Sequence, residues 1–521
     1  MSTPSVRAVR PRRRLSIPRL IVAVVVTSAV IGGGIVGLNW AQAQAEGTRS
    51  AWFAGYADVT ATPAFAFEAP RSAAAKNVVL SFVVADPAAG CTPSWGGAYS
   101  MSQAASSLDL DRRIARLQQQ GGEIAISFGG QKNDELATTC TSVSQLAAAY
   151  TSVISRYDVS TIDLDIEGAN LSDPAANTRR AEALARVQSE QAAAGHPIAV
   201  WYTLPVAPNG LGPDGQAAVR AALAAKVELS GVNAMTMDYG AALPANTSMI
   251  TASESALNDV HRQLDALYLE QKITLGDKTL WSKIGATPMI GQNDTRGEIF
   301  DLAAAKKLNA FVLAHGIGRV SMWSLNRDET CGANYVNLSV VSDACSGVAQ
   351  GKASFAELLG ASLTGKPHFS AGKVTTDEAV DPSSLVDNPA TSPYPIWTTD
   401  SAYLQGTKVV WHHNVYEAKW WTSGDTPDDP VLNDWQTPWL LVGPVLPGET
   451  PIPQPTLPPG TFPDWSGTVV FNKGDRVLFD GVPYEAKWWT QGDSPEAASS
   501  DPNGSPWVPL TLKQIRAITG G

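Results

Sequence analysis

At 521 residues the chain is long enough for one large domain and several small ones. Its 38 basic and 49 acidic side chains give a formal charge of -11, and Met1 to Arg19 holds six Arg and no acid. Without that segment the charge moves from -11 to -17, so the remaining body is acidic and a nucleic-acid partner is excluded.

The basic start is followed by Leu20 to Leu38, almost wholly apolar, and by the small residues Ala41 to Ala45 at cleavage spacing. Residues 1–45 therefore read as an export signal, with Arg12-Arg13-Arg14-Leu15 weakly resembling a twin-arginine signal. The apolar run is also long enough for an uncleaved anchor, so the expectation is an extracellular monomer, with contact to a membrane if the segment stays. In an exported chain the four cysteines, which show no CxxC spacing suited to zinc, point to two disulfides. Of three connectivities, the sequence-local Cys331 with Cys345, leaving Cys91 with Cys140, is the expected one.

From residue 48 to residue 360, apolar β-prone runs alternate with helical stretches. The expected strands are Trp52–Thr60, Asn77–Val84, Glu123–Phe128, Thr161–Ile166, Ile198–Leu204, Gly231–Met237, Ile284–Ile290 and Arg319–Ser324. Ser144–Tyr157 places Leu146, Tyr150, Val153, Ile154 and Tyr157 on one helical face, and the next helix has Asp173 as N-cap, Pro174 at its first position and Gly195 past its end. This pattern predicts an α/β fold, a (β/α)8 TIM barrel, with a doubly wound open sheet as the alternative. No GxGxxG follows the first strand to support the open sheet.

Within the fourth strand, TIDLDIEG sets Asp163, Asp165 and Glu167 at alternate positions. They share the inner face, while Ile162, Leu164 and Ile166 face the helices. Three stacked charges are prohibitive to bury, so the acids must share protons or hydrogen bonds. Glu167, the outermost, lies at the C-terminal mouth where barrel enzymes place their chemistry, and a raised pKa there would let it donate a proton. A metal site is the other reading of such a strand, but no histidine lies nearby to complete a ligand set.

Asp-x-Asp-x-Glu after an apolar start resembles the catalytic strand of glycoside hydrolase family 18, the chitinase family. Three further segments resemble that family in order: Ser127-Phe128-Gly129-Gly130 its third strand, Met235 to Gly240 (MTMDYG) its sixth, and Trp323 in SMWSLNRD its eighth. The sequence departs from the family where Ser160-Thr161 replaces the usual Asp-Gly ahead of the acids. The resemblance implies hydrolysis of β-1,4-linked N-acetylglucosamine with the substrate's own acetamido group as nucleophile. It implies Glu167 as acid and base, Asp165 as the partner of the acetamido group and Asp163 behind it. Asp238 and Tyr239 would contact the same group, with Met237, Tyr202 and Trp323 lining the sugar site. No metal or organic cofactor is implied. Too few residues separate the seventh and eighth strands for a cleft-deepening insertion, which favours internal cleavage. An endo-β-N-acetylglucosaminidase acting on N-glycans or peptidoglycan, and a chitin-binding protein without activity, are the alternatives.

Residues 361–393 and the Pro-rich 443–461 read as linkers. The first precedes and the second divides a duplication, YEAKWWTSGDTP at Tyr416–Pro427 and YEAKWWTQGDSP at Tyr484–Pro495. Short β-prone runs around each copy predict two small all-β modules, residues 394–442 and 462–510. Two adjacent Trp residues on a strand would point to opposite faces, so core packing does not explain both. The repeat resembles the chitin-binding modules of carbohydrate-binding families 5 and 12. That likeness implies sugar stacking by Trp420, Trp421, Trp488 and Trp489, with Tyr416 and Tyr484 as further candidates, and chitin as the partner.

Overall fold

A computed structural model of the chain describes residues 50–333, 340–367, 385–445, 448–451, 457–458, 460–479, 481–495 and 505–519. The expected export signal, the middle of the first linker and part of the Pro-rich linker lie outside the described residues. The chain divides into two units, Met1–Thr376 and Asp377–Gly521.

In the first unit, alternating apolar runs form eight parallel strands: β1 (Trp52–Phe53 and Gly55–Asp58), β2 (Val78–Asp86), β3 (Ile124–Gly129), β4 (Thr161–Asp165), β5 (Ala199–Ala207), β6 (Leu229–Met235), β7 (Ile284–Thr287) and β8 (Arg319–Val320). Each pairs with the next from β2 to β8. The two pieces of β1 close the ring, since Trp52–Phe53 pairs with β8 and Gly55–Asp58 with β2. The inner face is filled at its lower end by Trp52, Ala54, Tyr56, Val79, Ala125 and Trp201, all buried. A ring so packed is a core rather than a pore, and its chemistry is confined to the open upper end.

Helices cover the outside. Val143–Tyr157 buries Leu146, Tyr150, Val153, Ile154 and Tyr157, the face that the apolar spacing marks. Pro174–Ala193 starts on Asp173, whose carboxylate accepts from the N–H groups of Ala175 and Ala176, so the orphan donors of the first turn are satisfied. A hairpin absent from the sequence expectations, Gly90–Trp95 with Tyr99–Ser100, extends β2. The Cys91–Cys140 disulfide joins it to the segment after β3, and Cys331–Cys345 closes the segment after β8. Residues 361–366 are not free linker: Gly365 N–H donates to Ala51 O, and Lys366 pairs with Glu123.

The second unit holds two small sheets of one design. In the first, Lys408–Trp411, Asn414–Ala418 and Trp439–Pro444 form an antiparallel sheet beside the pair Ala402–Tyr403 and Thr422–Ser423. In the second, the equivalents are Arg476–Phe479, Val482–Ala486 and Trp507–Pro509, beside Val470–Phe471 and Thr490–Gln491. The same bonds recur in both. Thr422 and Thr490 hydroxyls donate to Asp425 and Asp493, while the indole N–H groups of Trp439 and Trp507 donate to the carbonyls of those same two residues. Asp387, from the segment expected as linker, accepts from the N–H groups of His412 and His413 and so belongs to the first module. The helix Leu512–Thr519 carries the second beyond its expected end. No helix among the described residues is long and apolar enough to cross a membrane.

Candidate active site

Strand alternation places Asp163 and Asp165 inside the barrel, with Ile162 and Leu164 buried on the outer face. Asp163 is fully buried, and its four lone-pair positions are all taken. Oδ2 accepts from Tyr56 OH at 2.9 Å and Ser127 Oγ at 2.7 Å; Oδ1 accepts from Thr203 Oγ1 at 2.6 Å and from the Arg319 guanidinium. Arg319 has no exposed surface either. It also donates to Tyr56 OH and Ser321 Oγ, and its guanidinium lies 5.1 Å from the Trp52 ring and 5.5 Å from the Trp201 ring. The acids were expected to share protons or hydrogen bonds, and the lowest one is hydrogen-bonded on both oxygens, with a buried cation, which the sequence reading did not name, among its donors. The signal was present in Arg319, Ser321 and Trp323, which alternate along the eighth strand and so face inward together.

With Asp163 held as an ion, the next acid up meets a fixed negative charge. Burial first, then the charges of Glu167 and Asp163, push the Asp165 carboxyl well above the ordinary range, against the pull of Arg319. Its buried Oδ1 has no hydrogen-bond partner among the described residues. Glu167 stands at the rim, partly exposed, and burial followed by the charge of Asp238 pushes its pKa up to about 7. The column thus runs from a permanent ion pair at the base to an acid that holds a proton near neutrality.

The Ser-x-Gly-Gly segment of β3 has a steric cause. Gly129 sits at φ +99°, where a Cβ would lie 2.0 Å from Asp165 O; a Cβ on Gly130 would meet the Phe82 ring at 2.8 Å. Gly130 N–H donates to Asp165 O at 2.9 Å, so the two glycines let β3 close on the acid strand. Phe82 stacks on Trp323 with centroids 5.5 Å apart and ring planes 17° from parallel. Above this pair opens a cleft of about 490 Å³, lined also by Asp165, Glu167, Thr203, Met235, Met237 and Asp238.

Trp323, Met237 and Asp238 reach the cleft as expected, but two tyrosines do not. Asp238 is left-handed, φ +50°, and its carboxylate accepts from Thr295 N–H. The turn sends Tyr239 away: its ring is buried and its hydroxyl lies 3.4 Å from Ser253 on the helix Met249–Glu270. Tyr202 follows the outward parity of β5, beside Leu164 in register and near the buried Arg180 and Glu135. Thr203, its inward neighbour, lines the cleft in its place.

In the modules, Trp420 is 43% exposed and Trp489 60% exposed, with Trp488 exposed and Trp421 half-buried. These residues lie past the ends of Asn414–Ala418 and Val482–Ala486, in the following turn. Both members of each pair therefore reach solvent, which alternation along a strand would forbid. Tyr416 and Tyr484 stay on the strands and are core, packed with Val409 and Trp439 in one module and with Val477 and Trp507 in the other. Their candidacy as sugar contacts is corrected accordingly. Trp435, 70% exposed in the first module, was not singled out, because it lies outside the repeated motif.

Residues 464–508 match the model of carbohydrate-binding module family 5/12. The chain is 37% identical over 264 residues to a probable bifunctional chitinase/lysozyme of Escherichia coli, and 35% identical over 258 residues to endochitinase 11 of Metarhizium anisopliae. Each match covers about half of this chain, but 28% of the first relative and 47% of the second. Among solved structures, the catalytic domain of a hyperthermophilic chitinase from Pyrococcus furiosus is similar at 27% identity, with a TM-score of 0.51, over 61% of this chain and 96% of that one.

The fully buried ion pair generates a stability prediction. Arg319→Met leaves the Asp163 charge buried alone and is expected to lower the unfolding free energy by about 3–5 kcal/mol in urea titration. Adding Asp163→Asn should return part of that loss. A double variant whose cost equals the sum of the single ones would show that the two groups are not coupled.

Proposed function

We propose that this chain, with a barrel of the glycoside hydrolase family 18 kind and a C-terminal repeat of carbohydrate-binding family 5/12, is an endochitinase. It would act outside the cell on β-1,4-linked N-acetylglucosamine. The observation that carries this is Glu167, a carboxyl at the barrel mouth with its pKa pushed up to about 7 above a buried, neutralised base.

The steps are those that the family resemblance implies, assigned to the residues at these positions. Glu167 gives its proton to the glycosidic oxygen as the bond from that oxygen to the anomeric carbon breaks, while the substrate's acetamido oxygen bonds to the same carbon and forms an oxazolinium. Water then attacks that carbon, Glu167 takes its proton, and the ring opens with configuration retained. Asp165, whose Oδ1 has no partner in the described residues, accepts the acetamido N–H and faces the developing positive charge. Asp163 lies behind Asp165 in this scheme, bonded to Arg319 and three hydroxyls. Trp323, stacked on Phe82, forms the floor under the sugar, and Asp238 is the contact from the sixth strand.

Between β7 and β8 lie only a small hairpin, Gly291–Gln292 with Ile299–Phe300, and the helix Leu302–His315. An unobstructed groove of this kind supports internal cleavage. The exposed Trp pairs support adsorption to an insoluble polymer, with two weak modules combining through effective concentration.

Glu167→Gln is expected to lower turnover on chitin oligomers by about two to four orders of magnitude with binding retained. In the wild type, kcat/KM should fall as pH rises through about 7, because the proton donor is lost. Near wild-type turnover in the variant would remove Glu167 from this role.

In the full chain, Ala at Trp420, Trp421, Trp488 and Trp489 together should leave cleavage of soluble oligomers unchanged. Each stacked ring contributes on the order of 1 kcal/mol, so adsorption to insoluble chitin should weaken by at least about tenfold. Undiminished adsorption would show that other surfaces hold the polymer.

A further inference from the structure

The one-turn helix Gly168–Leu171 begins at Glu167, and Asn170 within it donates its backbone N–H back to Glu167 O at 3.1 Å. The Asn170 side chain is buried and points at the segment that follows β3. Oδ1 accepts from Glu135 N–H at 3.2 Å and from Thr138 Oγ1 at 2.8 Å, and Nδ2 donates to Asn133 O at 3.2 Å. The described hydrogen bonds between this turn and residues 131–139 all end on that amide.

The segment it grips forms part of the cleft. Gln131, Lys132 and Asn133 line the same space as Glu167. Asn133 is held in the left-handed region, φ +70°, and its own amide reaches Gly96 O in the hairpin after β2. From behind, the segment is secured by the buried Glu135–Arg180 pair, by Tyr150 OH on Glu135 at 2.6 Å, and by the Cys91–Cys140 disulfide. Those anchors attach the wall to the helices and the hairpin. Asn170 attaches it to the turn that carries the acid.

We propose that Asn170 is a positioning residue: its amide locks the Glu167 turn to the wall Gln131–Asn133, so that the proton donor and the sugar-facing wall keep one geometry. The inference rests on the hydrolase reading given above. Fixing that wall also preserves the partial enclosure of Glu167, whose cleft holds Asp58 from β1, Asp165 from β4, Asp238, Asp294 and Asp343 from the segments after β6, β7 and β8, and Lys132. Without the lock, water reaches the carboxyl and its ionised form becomes easier.

The test compares full-length wild type with Asn170→Ala, Thr138→Val and Glu167→Gln on one chitin oligomer across pH, with thermal midpoints measured in parallel. Asn170→Ala should lower kcat about tenfold or more at a temperature where it is folded, and should move the alkaline limb of kcat/KM to lower pH by about half a unit or more. Thr138→Val, which removes a single bond to the amide, should move both readouts the same way by less. A folded Asn170→Ala with kcat within about twofold and an unmoved limb would overturn the proposal. So would activity lost only in step with the folded fraction; if Asn170→Ala does not fold, an unmoved limb in Thr138→Val decides against it. If wild type leaves the oligomer uncut, or Glu167→Gln cuts it equally well, the hydrolase reading itself fails; otherwise the Asn170 result judges the positioning role alone.

Discussion

The ion pair between Asp163 and Arg319 is the constraint on which the rest of the site depends. A carboxylate with no exposed surface would take a proton unless a cation and a full set of donors held it ionised, and here Arg319, Tyr56, Ser127 and Thr203 supply both. A permanent negative charge at the base of the column then makes ionisation of Asp165 costly. At the mouth, burial and then the charge of Asp238 push the Glu167 pKa up to about 7. The aromatic rings around Arg319 exclude water from the base, so the charges are little screened. The barrel therefore supports two carboxyls of raised pKa, Asp165 and Glu167, above an insulated ion pair.

Much of this was legible in the sequence because it follows from strand alternation. The period of two identified the inner face of the fourth strand, and the eight apolar runs located the ring. What alternation along one strand does not disclose is the partner across the barrel. Arg319 lies 156 residues from Asp163, and only ring closure brings them together. The tyrosines show the same limit from the other side. Tyr202 obeys the outward parity of its strand once the register with Asp165 is known, and Tyr239 is turned away by the left-handed Asp238 before it, a backbone state that the residue types leave open. Asn170 was invisible for a related reason, since its partners Asn133, Glu135 and Thr138 lie on the preceding βα segment.

In the modules the repeat itself was the informative feature, because it separates two demands on aromatic residues in a small fold. Trp439 and Trp507 are buried and bonded to the turn carbonyls of Asp425 and Asp493, so they hold the fold. The Trp pairs lie in the turns between and remain in solvent, where flat apolar surface is costly without a ligand. Tyr416 and Tyr484 resemble ligand contacts only by proximity in sequence. Their strands place them in the core.

The central claim is that partial burial and the facing charge of Asp238 raise the affinity of Glu167 for its proton, and the most direct measurement is a carboxyl-carbon NMR titration of the full-length protein with the Glu167 signal assigned by its loss in Glu167→Gln. The account predicts a midpoint near pH 7 that moves downward in Asp238→Asn, which removes the facing charge. A Glu167 carboxyl that titrates near 4.5, as an ordinary solvent-exposed glutamate would, contradicts it.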